Sequence, residues 1–74
     1  MNNHQSLTRL GLNVRRLREE ASLTQEALAE RCDLDSTYIS GIERGVRNPS
    51  VLSLTRLAKG LNTTVSSICE DIDR

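Results

Sequence analysis

Thr24-Gln25-Glu26-Ala27-Leu28-Ala29-Glu30-Arg31-Cys32-Asp33-Leu34-Asp35-Ser36-Thr37-Tyr38-Ile39-Ser40-Gly41-Ile42-Glu43-Arg44-Gly45 is the stretch that decides the fold. It opens on Thr24, whose hydroxyl suits an orphan amide at a helix start, and Glu26 in the next turn suits the positive helix end. A short helix over about 24–32 follows, with Leu28, Ala29 and Cys32 inward. Asp33-Leu34-Asp35 is a tight connection, and Asp35 is itself a good N-cap. The helix it starts, about 36–44, has Ile39 and Ile42 as inward positions. Gly45 falls where a left-handed residue closes a helix.

Working outward, Leu7, Leu10, Val14, Leu17 and Ala21 recur at three and four residues, which predicts a helix from about Leu7 to Ala21. Ser22-Leu23-Thr24 interrupts it. Downstream, Asn48-Pro49-Ser50 restarts the chain. Either Asn48 caps with Pro49 as the first helical residue, or Ser50 caps after an extended Pro49, and Ser50 is preferred. A fourth helix carries Val51, Leu54, Leu57, Ala58 and Leu61, with Asn62 suited to the left-handed position after it. Thr64 caps a final turn or two bearing Val65, Ile68, Cys69 and Ile72. There is no strand alternation, internal repeat or low-complexity tract. The chain reads as all-α, a single domain over 1–74.

Composition removes several classes of function. With 74 residues, the chain fits one small domain that buries about 60% of its unfolded surface. No apolar run approaches the roughly 20 residues of a membrane span. The polar start, Met1-Asn2-Asn3-His4-Gln5-Ser6, does not resemble a signal peptide, so an intracellular protein without a membrane partner is expected. Cys32 and Cys69 are too few for a disulfide framework and lack zinc-ligand spacing; both are expected to be small buried apolar residues. His4 is the one histidine and sits in that polar leader, where fraying is the default. No Ser–His or Cys–His pair can then be built. No enzyme, cofactor or metal is expected.

Two short helices joined by a three-residue turn make a helix-turn-helix candidate, and the surface of the second makes it more than a shape. Outside Ile39 and Ile42 it shows Ser36, Thr37, Tyr38, Ser40 and Gly41, without one carboxylate. An ordinary exposed helix would carry Lys and Glu there. Hydroxyls read donors or acceptors on base edges, a Thr methyl meets a thymine methyl, and a small Gly41 permits close approach. Gln25 has a backbone amide and a side chain to offer a phosphate. On spacing alone, a plain pair of core helices competes evenly with this.

Leu23-Thr24-Gln25-Glu26-Ala27-Leu28-Ala29-Glu30-Arg31, followed by Tyr38-Ile39-Ser40-Gly41-Ile42-Glu43-Arg44-Gly45-Val46-Arg47-Asn48-Pro49-Ser50, resembles the Cro/cI (Xre) helix-turn-helix family. The likeness runs from about Leu10 to Ile68. Three segments match in order: the Thr-Gln-Glu entry, the Ile-x-x-Ile-Glu-x-Gly exit and the Pro-Ser start of the fourth helix. Thr37-Tyr38-Ile39-Ser40-Gly41-Ile42-Glu43-Arg44 is especially similar to the controller proteins of bacterial restriction–modification systems. The resemblance implies a compact five-helix Cro/cI-repressor-like domain that reads double-stranded DNA in the major groove. Matching position by position, it implies phosphate contacts from Thr24, Gln25, Arg44 and Arg47, with Arg47 also within reach of a groove. It implies base reading by Ser36, Thr37, Tyr38 and Ser40, and an internal ion pair of Arg18 with Glu43. Glu26 and Glu30 match positions that touch the polymerase sigma subunit in activating phage repressors; a solvated face is the competing account. Two positions depart from the pattern. Asp33 stands at the turn position usually held by Gly, and Ser36 stands where longer side chains are frequent. Asp tolerates left-handed geometry better than most residues, while the short Ser36 shifts weight to Tyr38, Arg47 and DNA deformability.

One recognition helix samples about 4–6 base pairs, too few for a useful specificity ratio, so two-fold pairing on half-sites about 34 Å apart is expected. The region of about 50–72 must supply the dimer interface, and Val51, Leu52, Leu61, Val65, Ile68 and Ile72 offer the apolar surface, as the resemblance also implies. The combined expectation is a sequence-specific, dimeric DNA-binding transcription regulator, autoregulatory and of the restriction–modification controller kind. It would be cytoplasmic, on a bacterial or phage nucleoid. The alternative is an antitoxin-like or bridging protein-interaction module that reuses the fold. Ten basic and ten acidic residues cancel, but not locally. Residues 1–18 hold +4, 19–35 hold −5, 36–59 hold +3 and 60–74 hold −2. The segment with the recognition helix is basic.

Overall fold

A computed structural model describes residues 3–74. Those residues form five helices and no strand: α1 (Asn3–Glu20), α2 (Gln25–Cys32), α3 (Ser36–Glu43), α4 (Val51–Gly60) and α5 (Val65–Ile68). The last four each begin on the cap expected from the sequence. The side chains of Thr24, Ser50 and Thr64 accept from the backbone N–H groups of Ala27, Ser53 and Ser67, and Asp35 accepts from Thr37. Ser50, rather than Asn48, caps α4, with Pro49 buried ahead of it.

The first helix starts earlier than its apolar stripe. Met1 and Asn2 of the polar leader lie outside the described residues, but from Asn3 onward the leader is helical rather than frayed. It contains no Pro or Gly to stop a helix already nucleated by the core, and the Thr8 hydroxyl donates to the His4 carbonyl at 3.0 Å. At the other end Ala21 lies past α1 and is exposed, not part of the stripe.

Helices α1 to α4 stop in the same way. The N–H groups of Leu23, Leu34, Val46 and Thr63 reach back to the carbonyls of Arg18, Ala29, Gly41 and Ala58. Each loop closes over one left-handed residue: Ser22 (φ 59°), Asp33 (55°), Gly45 (76°) and Asn62 (54°). This is the Schellman arrangement, which satisfies the last carbonyls of a helix.

The fully buried centre is Val14 of α1, Leu28 of α2, Ile39 and Ile42 of α3, Leu57 of α4 and Ile68 of α5. α1 packs on α3 and α5, α2 on α3 and α4, and α4 on α5. The crossing of α1 over the end of α3 depends on Gly11, where a Cβ would collide with the backbone carbonyl of Ile42. Asn13 is buried on the same stripe and donates through Nδ2 to the carbonyls of Ile68 at 2.9 Å and Glu70 at 2.8 Å. It thereby satisfies the end of α5, which is too short to satisfy itself. No helix among the described residues is long and apolar enough to cross a membrane.

Several expectations need correcting. Ile68 is fully buried and Leu61 nearly so, which places both in the core of one chain rather than on an interface. Val51, another of the residues expected at the interface, is 77% exposed. Cys32 is buried, whereas Cys69 is only half-buried.

Candidate nucleic-acid interface

The geometry of α2 and α3 is fixed by one carboxylate. Glu43, at the end of α3, has a side chain only 4% exposed, and Arg18 of α1 one that is 12% exposed. Arg18 grips it with two parallel bonds, Nε to Oε2 at 2.6 Å and Nη2 to Oε1 at 2.9 Å. The remaining guanidinium nitrogen, Nη1, donates to the Leu23 carbonyl at 2.8 Å, on the approach to α2. A fork of this kind is the strongest form of carboxylate recognition. Hydrogen bonding to Glu43 raises the Arg18 pKa, against the burial that lowers it. The guanidinium is therefore charged throughout any pH the fold survives.

Glu43 has a third donor. Gln25 Nε2 lies 3.1 Å from Oε1, so the side chain at the start of α2 is anchored to the end of α3. That bond engages one of the two amide hydrogens. Thr24 caps the same end of α2 through its oxygen, which leaves its hydroxyl proton free to donate. The first N–H groups of α2 open beside these two side chains, a concentration of donors of the kind that holds a phosphate oxygen.

On α3, Thr37 is exposed and Ser36 and Ser40 are half-buried. Tyr38 is half-buried and sits under Arg47, whose guanidinium carbon is 5.6 Å from the ring centroid. Its hydroxyl meets Ser53 Oγ of α4 at 3.4 Å. Gly41 was expected to be an outward position for close approach to DNA; it is buried, covered by the side chain of Arg47. Arg44 and Arg47 are exposed and make no ion pair among the described residues.

The structure also sharpens the charge pattern. Arg15 pairs with Glu19 at 3.2 Å and Arg16 with Glu20 at 3.6 Å, so with Arg18 bound to Glu43 most of the α1 charge is matched. The basic character near α3 thus rests on Arg44 and Arg47. Glu26 and Glu30 lie exposed on α2. Val51 and Leu52 are neighbouring exposed apolar residues, 77% and 63%, while Val65 and Ile72 are half-buried. Burial pushes up the thiol pKa of both Cys32 and Cys69, so neither is an activated nucleophile.

Sequence reasoning missed Asn13, Ser53 and the packing role of Gly41. Asn13 was open to discovery, since it lies three residues after Leu10 on the apolar stripe. Nothing local marks Ser53 as the partner of a tyrosine 15 residues away.

The helix-turn-helix family model matches residues 14–68, most of the chain and the whole of α2, α3 and α4. The chain belongs to this family. It is of the Cro/cI (Xre) type, and its relatives include restriction–modification control proteins. The control protein C.MunI of a Mycoplasma species is 42% identical over 67 residues, covering 89% of this chain and 90% of that protein. The crystal structure of the controller protein C.AhdI from Aeromonas hydrophila superposes with a TM-score of 0.82 at 37% identity, covering 84% of this chain and 94% of that one. C.Esp1396I bound to a 19 base pair DNA duplex gives a TM-score of 0.80 at 39% identity, covering 90% and 89%. Identity at this level over nearly whole chains makes this member of the helix-turn-helix family comparable in extent as well as in motif.

Proposed function

We propose that this helix-turn-helix protein is a dimeric, sequence-specific DNA-binding transcription regulator of the restriction–modification controller kind, acting on its own promoter in the cytoplasm. The observation that carries the proposal is the surface of α3 and its flanks. Hydroxyl side chains face outward, no carboxylate does, unpaired Arg44 and Arg47 follow, and Gln25 is held beside them by a buried ion pair. The likeness to a controller protein solved on duplex DNA supports it, and disfavours an antitoxin-like interaction module. Thr24, Gln25, Arg44 and Arg47 serve as the phosphate grip. Ser36, Thr37, Tyr38 and Ser40 face the bases of the major groove. Val51 and Leu52, with the exposed parts of Val65 and Ile72, form the two-fold interface. Glu26 and Glu30, exposed on α2, are assigned to the surface where an activating regulator meets the polymerase sigma subunit.

Binding to a duplex from immediately upstream of the coding sequence, against a scrambled duplex of equal length, tests the proposal. The upstream duplex should be preferred by about 10³-fold or more, with a steep dependence on salt. Thr37→Ala should narrow the gap between the two duplexes, whereas Gln25→Ala should weaken both alike. Equal, weak binding to the two duplexes by the unmodified protein would refute it.

A further inference from the structure

Gly41 occupies the interior of the eight-residue helix α3, the one proposed to read bases. Glycine is the poorest helix residue after proline, so its presence there calls for a neighbour that needs the space. The neighbour is Arg47. A Cβ built on Gly41 lies 2.5 Å from Arg47 Cγ and 3.5 Å from both Cδ and Nε, and these are the three atoms nearest to it. The case differs from Gly11, where a Cβ would strike rigid backbone; here it strikes the stem of an exposed side chain, which must swing aside as a whole to admit it. The left-handed turn at Gly45 brings the chain back over α3, with the Val46 N–H bonded to the Gly41 carbonyl at 3.0 Å. The methylenes of Arg47 then lie in the Gly41 gap and its guanidinium lies over Tyr38.

We propose that Gly41 is a positioning residue for DNA binding. Its missing side chain seats the stem of Arg47, which fixes the guanidinium against Tyr38 and presents it on the DNA-facing side of α3. Arg47 has many rotamers, and ordering it beforehand removes that cost from binding. Gly41 thus makes a residue outside the recognition helix behave as part of it. This rests on the DNA-binding function proposed above.

The test is a double-mutant cycle of Gly41→Ala and Arg47→Ala, read by fluorescence anisotropy on the upstream duplex and on a scrambled duplex. An arginine contact with DNA is a charge-assisted bond, so Arg47→Ala should lower affinity for the upstream duplex about tenfold. Gly41→Ala should lower it by a similar factor, and the double variant by no more than either. Both single variants should also make the log–log salt dependence shallower by about one, although Gly41→Ala keeps every charge. The thermal midpoint of Gly41→Ala should equal or exceed that of the unmodified protein, because alanine favours the helix. Tyr38 is the sole aromatic residue, so near-UV circular dichroism of Gly41→Ala should change as Arg47 leaves the ring.

Gly41→Ala binding as tightly as the unmodified protein overturns the proposal. So do losses that multiply to about a hundredfold in the double variant, or a loss in Gly41→Ala with an unaltered salt slope. If Arg47→Ala binds normally while Gln25→Ala is weakened, the role of Gly41 falls and the DNA-binding function stands. If the unmodified protein does not prefer the upstream duplex, both fall.

Discussion

At the scale of single residues, the Glu43 carboxylate joins stability to function. Its three donors come from two elements besides its own: two from Arg18 on α1 and one from Gln25 on α2. Glu43→Ala leaves the Arg18 guanidinium in a nearly closed pocket without its partner, and urea denaturation should show a loss of about 3–5 kcal/mol. That is a large share of what a domain of this size has to lose. Replacing both partners, Arg18→Met with Glu43→Leu, removes the buried charges together and should recover most of that stability. DNA affinity should nevertheless stay reduced in the double variant, since Gln25 has lost the oxygen that holds it. A double variant that recovers both stability and affinity would show that Gln25 needs no anchor. The Arg18–Glu43 pair was accessible from the sequence only through resemblance, because 25 residues separate its members. The Gln25 bond was not accessible at all, as it depends on how α2 and α3 cross.

At the scale of elements, helix starts were legible and helix ends only in part. Thr24, Asp35, Ser50 and Thr64 are short side chains with an acceptor oxygen before an apolar repeat, and each makes its bond within the next three residues. Such local chemistry can be read without knowing the fold. The ends at Asp33, Gly45 and Asn62 were equally readable, since these residue types adopt left-handed geometry at low cost. Ser22 was not, because serine has no such preference; the loop to Leu23 imposes φ 59° on it. The start of α1 was missed for the opposite reason, since the polar leader lacks both an apolar repeat and a stop signal. The strain at Ser22 has a measurable consequence. Left-handed geometry costs an ordinary residue about 1–2 kcal/mol, whereas glycine adds about 0.4–1 kcal/mol of unfolded-state entropy. Ser22→Gly should therefore stabilise the fold by roughly 0.5–1 kcal/mol in urea denaturation, the difference of those terms. Asn62→Gly, starting from a residue already suited to the site, should be close to neutral.

At the scale of the whole molecule, size and surface set the terms of DNA recognition. The domain measures 31 × 21 × 21 Å, a size comparable to one DNA turn of about 34 Å. Overall charge is zero, and the pairing of Arg15, Arg16 and Arg18 leaves the exposed basic surface to Arg9, Arg31, Arg44, Arg47, Arg56 and Lys59, scattered over several elements. Non-specific attraction is correspondingly weak, and the proposed pairing of two copies would supply affinity as well as specificity. The structure divides the six residues expected at the interface, Val51, Leu52, Leu61, Val65, Ile68 and Ile72, by what each has left to offer. Ile68 is fully buried and Leu61 is 9% exposed, whereas Val51 is 77% and Leu52 63% exposed. This division makes the dimer testable without confusing dissociation with unfolding. Ile68→Ala opens a cavity in the core and should cost about 2–5 kcal/mol, which would appear as a lowered thermal midpoint. Val51→Asp with Leu52→Asp touches no core contact and should leave the monomer's helical circular dichroism intact. In sedimentation equilibrium the same variant should be monomeric at concentrations where the unmodified protein is dimeric. Its binding to the upstream duplex should fall to the level of a single half-site. If it instead sediments as a dimer, the interface lies elsewhere, and the half-buried Val65 and Ile72 become the next positions to change.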